Sequence, residues 1–346
     1  MTERWTGNKG EWSEAYVFLA LLANPLIPAA NYNLENIGGK YYVAKAIYIP
    51  TADGEAKKFL PLQEKYVSEA GEVRLDTIKK ALPEALENIK TQPATFELPD
   101  IQKLFKLLGI SSFKASASTK IDIVLELPSL GGGQDQKLGF SIKSQLGNPS
   151  TLMNSSGATN IVWKVETSEL VGRACVAQKN SENRNVIKPC VPDFKFAGFT
   201  SDTFLNNLAY FGSDFPEKLA RMVRNAYFGI GTTSLIEQLQ LVAADLPGLV
   251  EENKLRYQTK NFLRAVALGM MPAATWNGDL EGYGGYIVAK NDGELACLHL
   301  ENDDEFKDYL LNNVRFDWPS SARTAPNSFD SGILTYHTNF SIRFIQ

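Results

Sequence analysis

Two neighbouring alternating stretches constrain the fold of this 346-residue chain more than any other feature. STKIDIVLEL (118–127) and KLGFSIKSQLG (137–147) both carry apolar residues at every second position over several residues, which is typical of β-strands. The segment that joins them, LPSLGGGQDQ, is rich in glycine and is typical of a turn. We therefore expect these two stretches to form a β-hairpin.

Each strand of this hairpin carries one charged residue that needs an explanation. Asp122 lies among isoleucine, valine and leucine residues, where a carboxylate is costly to bury unless a charged group meets it. Lys143 shares a strand face with Ser141 near the end of the second strand. Phosphodiester hydrolysis uses carboxylates to hold a divalent cation and a basic side chain near the developing charge, so the pair suits that chemistry.

A predicted helix precedes the hairpin and carries two more acids. The sequence NKGEWSEAYVFLALLAN has a polar start, acids in its first turn and a stop at Asn24-Pro25, which predicts a helix over about residues 10–23. Glu14 precedes the apolar stripe of Val17, Phe18 and Leu21 at helical spacing. A helix followed by a hairpin with an acid and a lysine is the order of the PD-(D/E)XK nuclease core.

Several assignments remain open within that order. Asp122 is expected to be a metal ligand and Lys143 the catalytic cation, while Ser141 stands where the motif usually has its second acid. Glu14, Glu11 or Glu126 could supply the missing carboxylate, since Glu126 shares a strand face with Asp122. The helix dipole alone also favours acids in a first turn, and a lysine at a strand end often only extends to solvent.

Composition excludes several other classes of protein. Only two histidines, His299 and His337, are present, so carboxylates and lysine must carry any catalysis. The three cysteines are too few and too widely spaced for a disulfide framework or a zinc site. The longest early apolar run is too short for a membrane span, and we expect a cytoplasmic protein without membrane contact. A net charge of −4 argues against a general polyanion binder but not against a local basic cleft.

Elsewhere the chain predicts further strands and helices. The expected fold class is α/β, with a mixed β-sheet nuclease core flanked by helices and a mostly helical C-terminal elaboration. The expected domains are a catalytic core over 1–170 and a region for DNA recognition or dimerisation over 171–346. Further predicted elements are β-structure at 40–50, helices near 75–90, 99–109, 202–210, 215–226, 233–244 and 259–269, and a hairpin at 284–300. Asp100 is expected to cap the helix at 99–109, and Gly109 to end it.

Several sequence segments resemble those of the HpaII-type restriction endonucleases. These segments include NKGEWSE, KIDI, LGFSIKSQLGNPSTLMNSSGATN, GGYIVAKNDGELACLHL and DYLLNNVRFDWPSSAR, and they run in order over almost the whole chain. The resemblance implies a type II, Mg2+-dependent enzyme of the PD-(D/E)XK superfamily that cuts double-stranded DNA around a CCGG core. It also implies a homodimer and a cognate DNA methyltransferase as the cellular partner. The residues that carry over are Glu11, Glu14, Asp122, Ser141, Lys143 and Gln145.

The residues that recognise DNA bases are harder to identify from the sequence than the catalytic residues. Guanine is read best by arginine or lysine in the major groove. We therefore expect DNA-recognition residues in two polar loops, with Arg184 and Lys188 in the first and Arg323 in the second. A non-catalytic DNA-binding or regulatory protein with a degenerate nuclease core remains the alternative, whereas no P-loop, G-x-S-x-G or dinucleotide motif supports a metabolic hydrolase.

Overall fold

The computed structural model describes residues 5–50, 56–110, 121–129, 133–177, 180–319 and 321–345. The helices are α1 (Lys9–Ala23), α2 (Leu75–Thr91), α3 (Pro99–Leu107), α4 (Glu169–Ala177), α5 (Asn180–Ile187), α6 (Asp202–Ala209), α7 (Phe215–Tyr227), α8 (Leu235–Ala243), α9 (Leu249–Ala267) and α10 (Asp303–Asn312). The strands are β1 (Gly7–Asn8), β2 (Leu26–Ala30), β3 (Asn36–Val43), β4 (Ala46–Pro50), β5 (Ala56–Phe59), β6 (Lys65–Ser68), β7 (Gly71–Arg74), β8 (Thr95–Phe96), β9 (Ile123–Leu127), β10 (Gln136–Ser144), β11 (Thr151–Met153), β12 (Asn160–Glu166), β13 (Lys195–Phe199), β14 (Gly285–Ala289), β15 (Leu295–His299), β16 (Val314–Asp317), β17 (Ser328–Asp330), β18 (Ile333–Asn339) and β19 (Ser341–Phe344).

The chain forms two compact units. The first contains residues 1–150 and 280–309, and the second contains residues 151–279 and 310–345. This division differs from the expected boundary at residue 170, because the hairpin β14–β15 pairs with β10 and so joins the first unit. The assignment of catalysis to one half of the chain and recognition to the other stays a prediction.

A mixed sheet is the centre of the first unit. Within the described residues it has eight strands in the order β3-β2-β15-β14-β10-β9-β4-β5. β10 pairs antiparallel with β9, as the alternating patterns predict, and parallel with β14. α1 packs against β10 and α2. Because helices flank a mixed sheet, the expected α/β class is confirmed.

The N-terminus of α1 is fixed by its own sequence. The Asn8 side chain accepts a hydrogen bond from the Glu11 N–H at 3.1 Å, and the Glu11 carboxylate accepts one from the Asn8 N–H at 2.8 Å. This reciprocal capping box satisfies two backbone donors that a helix start otherwise leaves unpaired. Val17, Phe18 and Leu21 are fully buried, so the apolar stripe of α1 forms part of the core as predicted.

The second unit combines two smaller sheets with helices. The described strands form one sheet in the order β13-β12-β18-β17 and another in the order β11-β19-β16. An aromatic cluster of Trp163, Phe194, Phe228 and Tyr336 packs beside the first of these, with ring centroids 5.5–6.1 Å apart. The tail after residue 320 supplies β17, β18 and β19.

Several local predictions are wrong in detail. The polar stretch 177–189 was expected to be a loop, but its described part forms α5 and a 3-10 helix. The helix expected at 259–269 begins ten residues earlier, at Leu249, and within this added part Leu255 and Gln258 are buried. Asp100 lies in the first turn of α3, and Leu98 occupies the capping position without a side-chain bond.

Other local predictions are confirmed. The helices expected at about 10–23 and 75–90 are α1 and α2. Gly109 follows α3 with a φ of 68°, and Gly293 lies in the β14–β15 turn with a φ of 88°, conformations that favour glycine. Cys175, Cys190 and Cys297 are free thiols. None of the helices described has the length and apolar character needed to cross a membrane. Residues 118–120 and 130–132 of the predicted hairpin lie outside the described residues.

Candidate active site

Asp122 lies directly before β9 and is held against β10. Its N–H donates to the Phe140 carbonyl at 2.9 Å, which continues the hairpin ladder by one residue. Its Oδ2 accepts hydrogen bonds from the Ile142 N–H at 2.6 Å and from the Ser141 hydroxyl at 3.0 Å. Both bonds reach the same oxygen. Oδ1 therefore has no hydrogen bond from the described residues and is available to an external ligand.

Ser141 links the acid to the lysine. The Lys143 Nζ donates to the Ser141 Oγ at 2.9 Å, and the same hydroxyl donates to Asp122. The Lys143 Nζ also lies 5.0 Å from the ring centroid of the buried Tyr286 on β14, within the range of a cation–π contact. The shared strand face of Ser141 and Lys143 therefore produces an ordered chain of polar groups that ends at the carboxylate.

Glu14 lines the same cavity from the side of the helix. The cavity, of about 210 Å³, is lined by Glu14 on α1, by Asp122, and by Ser141 and Lys143 on β10. The Glu14 carboxylate makes no hydrogen bond or ion pair with the described residues. Burial, together with repulsion from Asp122 and Glu11 and against the attraction of Lys143, raises the pKa of Glu14 to about 8.

A buried hydroxyl pair fixes α1 against β10 next to these residues. The fully buried Ser13 lies 2.8 Å from the Ser144 Oγ and donates to the Lys9 carbonyl at 2.7 Å. The Ser144 hydroxyl in turn accepts from the Leu146 N–H at 3.0 Å. Sequence reasoning missed Ser13 and Ser144, although they adjoin Glu14 and Lys143. Their small hydroxyls carry no pattern that separates them from surface serines.

The other two acids considered for the site have different partners. Glu11 is the acid of the capping box at the start of α1, so its carboxylate serves the helix N-terminus. Glu126 accepts a hydrogen bond from the Tyr48 hydroxyl at 2.5 Å and lies 3.7 Å from the Lys58 Nζ. Glu126 does not line the cavity that contains Asp122. The structure therefore brings together Glu14 and Asp122 and leaves Glu126 outside.

Gln145 is separated from the other residues of the SIKSQ block. Its N–H donates to the Ala289 carbonyl at 2.9 Å, which continues the pairing of β10 with β14. Its side chain lines a different cavity of the first unit, together with Lys290 and Glu294. The expected catalytic position of Gln145 is thus not at the Asp122 cavity.

The three residues expected to read DNA all lie in the second unit and are exposed. Arg184 is on α5, where it donates to the Tyr227 carbonyl at 3.2 Å and lies over the Tyr227 ring. Lys188 is also near the end of α7. Gly229 lies two residues after that helix, and a Cβ atom placed on it would be 3.9 Å from the Lys188 Nζ. Arg323 donates to the Ser155 carbonyl at 3.5 Å. The geometry thus groups Arg184 with Lys188.

The donor set at the Asp122 cavity fits a hard divalent cation. Two carboxylates line the cavity. Asp122 has an oxygen that accepts no hydrogen bond from residues in the described ranges, and burial and a like charge raise the pKa of Glu14 to about 8. A cation bound by both carboxylates would offset the burial of the Glu14 charge and the repulsion between the two acids. In the part of the chain that the structure describes, no group of three or more His, Cys, Asp or Glu could hold a metal. Two carboxylates suffice for Mg2+, which keeps several water ligands and binds substrate phosphate.

Comparison with known proteins identifies relatives over nearly the whole chain. The family described as HpaII restriction endonuclease matches residues 8–344. The chain is 33% identical over 337 residues to the type II restriction enzyme HpaII of Haemophilus parainfluenzae, a match that covers 93% of both chains. No solved structure matches the chain significantly.

Proposed function

This chain belongs to the HpaII restriction endonuclease family, and on that premise we propose that it cuts both strands of a short DNA palindrome with Mg2+ held by Asp122 and Glu14. It is a nuclease, its substrate is DNA, and its activity is that of a type II restriction endonuclease. The observation that carries the site assignment is the convergence of Glu14, Asp122 and Lys143 on one cavity between α1 and β10. This is the PD-(D/E)XK arrangement with a serine at one acid position.

The two proposed metal ligands, Asp122 and Glu14, are held in place by different contacts. Asp122 is oriented through Oδ2 by Ser141 and Ile142, which leaves Oδ1 to bind the metal. Glu14 is supplied by α1, whose place on β10 is fixed by the Ser13–Ser144 pair. A bound Mg2+ would polarise the scissile phosphate and lower the pKa of an attacking water. Glu14 thereby replaces the acid that the motif usually carries at the position of Ser141.

Lys143 supplies positive charge at the reacting phosphate. Its Nζ is held by Ser141 and by the Tyr286 ring, so its position is set before DNA binds. A preorganised cation stabilises charge that develops in the transition state more effectively than one that must be ordered during the reaction. The Ser141 hydroxyl has two roles, since it orients both the carboxylate and the ammonium group.

The proposed target is a palindrome with a CCGG core, the namesake specificity of the family. A two-fold symmetric site is most simply cut by a homodimer in which each subunit cleaves one strand. Arg184, Lys188 and Arg323 are the proposed base-reading residues, in keeping with the preference of guanine for arginine and lysine. A DNA methyltransferase that protects the same site would be the partner in the cell, where the enzyme is expected to be cytoplasmic.

The decisive experiment is cleavage of unmethylated DNA of known sequence, with and without Mg2+, followed by sequencing of the ends. We expect Mg2+-dependent double-strand cuts at equivalent positions within CCGG-containing palindromes. Ends outside such palindromes would contradict the specificity while leaving the nuclease activity. If the protein binds DNA but does not cleave it in the presence of either Mg2+ or Mn2+, the result would instead support a non-catalytic DNA-binding protein.

A further inference from the structure

Helix α9 in the second unit concentrates positive charge in an otherwise acidic chain. The net charge of the chain is −4, yet residues 253–278 contain four lysine or arginine residues and no aspartate or glutamate. Arg256, Lys260 and Arg264 follow one another at intervals of four residues. On a helix this spacing places them on one face, with a rise of about 6 Å per step.

Burial along α9 separates this face from the core. Leu255, Phe262 and Leu263 are fully buried, whereas Tyr257, one residue after Arg256, is 69% exposed. Asn261 is partly exposed on the same side. The core therefore fixes the rotation of the helix. Arg256 and Lys260 are partly exposed beside the exposed Tyr257, whereas the third basic residue, Arg264, has a buried Nε and is not part of the exposed surface.

The charges of α9 differ in what surrounds them. Lys254 lies 2.8 Å from the Asp214 carboxylate and 3.8 Å from the Glu251 carboxylate, so its charge is compensated within the protein. Arg256, one turn after Glu252, forms no ion pair with any acid among the described residues. The helix thus offers a cation whose counterion must come from outside the protein.

We propose that Arg256, Lys260 and Tyr257 on α9 form a surface that contacts the phosphate backbone of DNA. The inference rests on DNA as the substrate of the proposed function and adds a site to it. Phosphates repeat regularly along a DNA strand, so a straight row of cations with hydrogen-bonding side chains between them is suited to bind them. Such contacts carry no base information. Affinity should depend on them equally for every sequence.

The test is the salt dependence of DNA binding by full-length protein in metal-free buffer, where no cleavage occurs. Each phosphate contact contributes about 0.9 to the slope of log K against log salt concentration. The double variant Arg256→Gln with Lys260→Gln should lower that slope by about 2 and weaken binding by on the order of 10-fold or more at 0.1 M salt. The loss should be the same for a CCGG duplex and for a scrambled duplex of equal length and composition.

The matched control is the double variant Lys195→Gln with Lys254→Gln. It removes the same net charge from the second unit at two lysines that face carboxylates, Glu166 at 3.5 Å and Asp214 at 2.8 Å, and it leaves Arg256 in place. Its slope should stay at the wild-type value. The exchange variant Arg256→Lys with Lys260→Arg keeps both charges and should also keep the slope.

Four results would overturn the inference. If the wild-type protein cuts DNA but the double variant Arg256→Gln with Lys260→Gln has an unchanged slope, the inference is wrong and the proposed function still stands. An equal fall in slope for the control would attribute the effect to net charge alone. A loss confined to the CCGG duplex would indicate base reading in place of phosphate contact. Wild-type protein that neither binds nor cuts DNA would overturn this inference and the proposed function together.

Discussion

The two ends of β9 carry two acids in contrasting surroundings. Asp122, just before the strand, faces a second carboxylate on α1 and has one oxygen that accepts no hydrogen bond from the described residues. Glu126, four residues later on the same face, is bonded to the Tyr48 hydroxyl and lies beside Lys58. The sequence offers both as metal ligands. Among the described residues, the Asp122 end has two carboxylates beside the ammonium group of Lys143, which favours a metal site, whereas the carboxylate at the Glu126 end is paired with Lys58.

The contrast explains how the missing acid of the motif can be replaced from another element. An acid on the hairpin itself would need the strand position of Ser141, which is buried and bonded to Asp122 and Lys143. α1 instead brings Glu14 to the same cavity from the opposite side. The replacement depends on the packing of α1 on β10. It therefore depends on contacts that local sequence does not specify.

The largest expected effect is at the Asp122 end of β9. Asp122→Asn should reduce the cleavage rate under Mg2+ by more than about 1,000-fold, because a neutral amide is a poor ligand for a hard cation and the metal contributes several kcal/mol to catalysis. Calorimetry of Mg2+ with enzyme bound to uncleaved DNA should show that metal binding is lost as well. Unchanged Mg2+ binding would place the metal elsewhere.

Lys143→Ala should have the next largest effect. We expect folded protein that still binds DNA but cleaves it about 100-fold more slowly, the usual size of the loss of one preorganised electrostatic group. Single-turnover rates with saturating DNA measure this step apart from binding. A near-normal rate would remove Lys143, and with it the cavity, from the catalytic assignment.

Ser141→Ala tests the link between the acid and the lysine. The hydroxyl contacts both groups, at 3.0 and 2.9 Å, but contributes no charge. Loss of a hydrogen bond to a charged group suggests a decrease of about 10-fold in the single-turnover rate. A decrease as large as that of Asp122→Asn would mean that Ser141 contacts the metal or the substrate directly.

The smallest expected effect is on stability in metal-free buffer. The pKa of Glu14 is raised from its ordinary value to about 8 in the folded protein, so between these values the folded state holds a proton that the unfolded chain has lost. Wild-type stability should therefore fall as pH rises from about 5 to 8. Glu14→Gln should remove this loss, and its melting temperature relative to wild type should be higher at pH 8.5 than at pH 5.5. A pH-independent difference would contradict the assigned burial of Glu14.

Sequence predicted the parts of the site that depend on strand alternation. Asp122, Ser141 and Lys143 meet because β9 and β10 pair in the register that a hairpin imposes. The place of α1 on that hairpin depends on a buried contact between Ser13 and Ser144, 131 residues apart, which no local pattern encodes. The choice among Glu11, Glu14 and Glu126 could therefore only be left open.

Two of the wrong predictions have different physical origins. The stretch around Arg184 is polar and is expected to be a loop, yet contacts such as the Asn183 bond to the Cys175 carbonyl at 2.8 Å hold it in α5. The start of α9 was missed because exposed Leu249 and Val250 obscure the helical pattern. Packing outweighed local preference in the first case, and surface apolar residues masked the pattern in the second.

The most direct test of Glu14 as the second metal ligand is the matched pair Glu14→Gln and Glu126→Gln, compared by single-turnover cleavage at saturating DNA and Mg2+. Both changes neutralise one carboxylate with nearly the same shape. We expect Glu14→Gln to be about as damaging as Asp122→Asn and Glu126→Gln to stay within about 3-fold of wild type, since Glu126 contributes only a partly exposed hydrogen bond and ion pair. The reverse ranking would contradict this assignment and would mean that the hairpin itself completes the metal site.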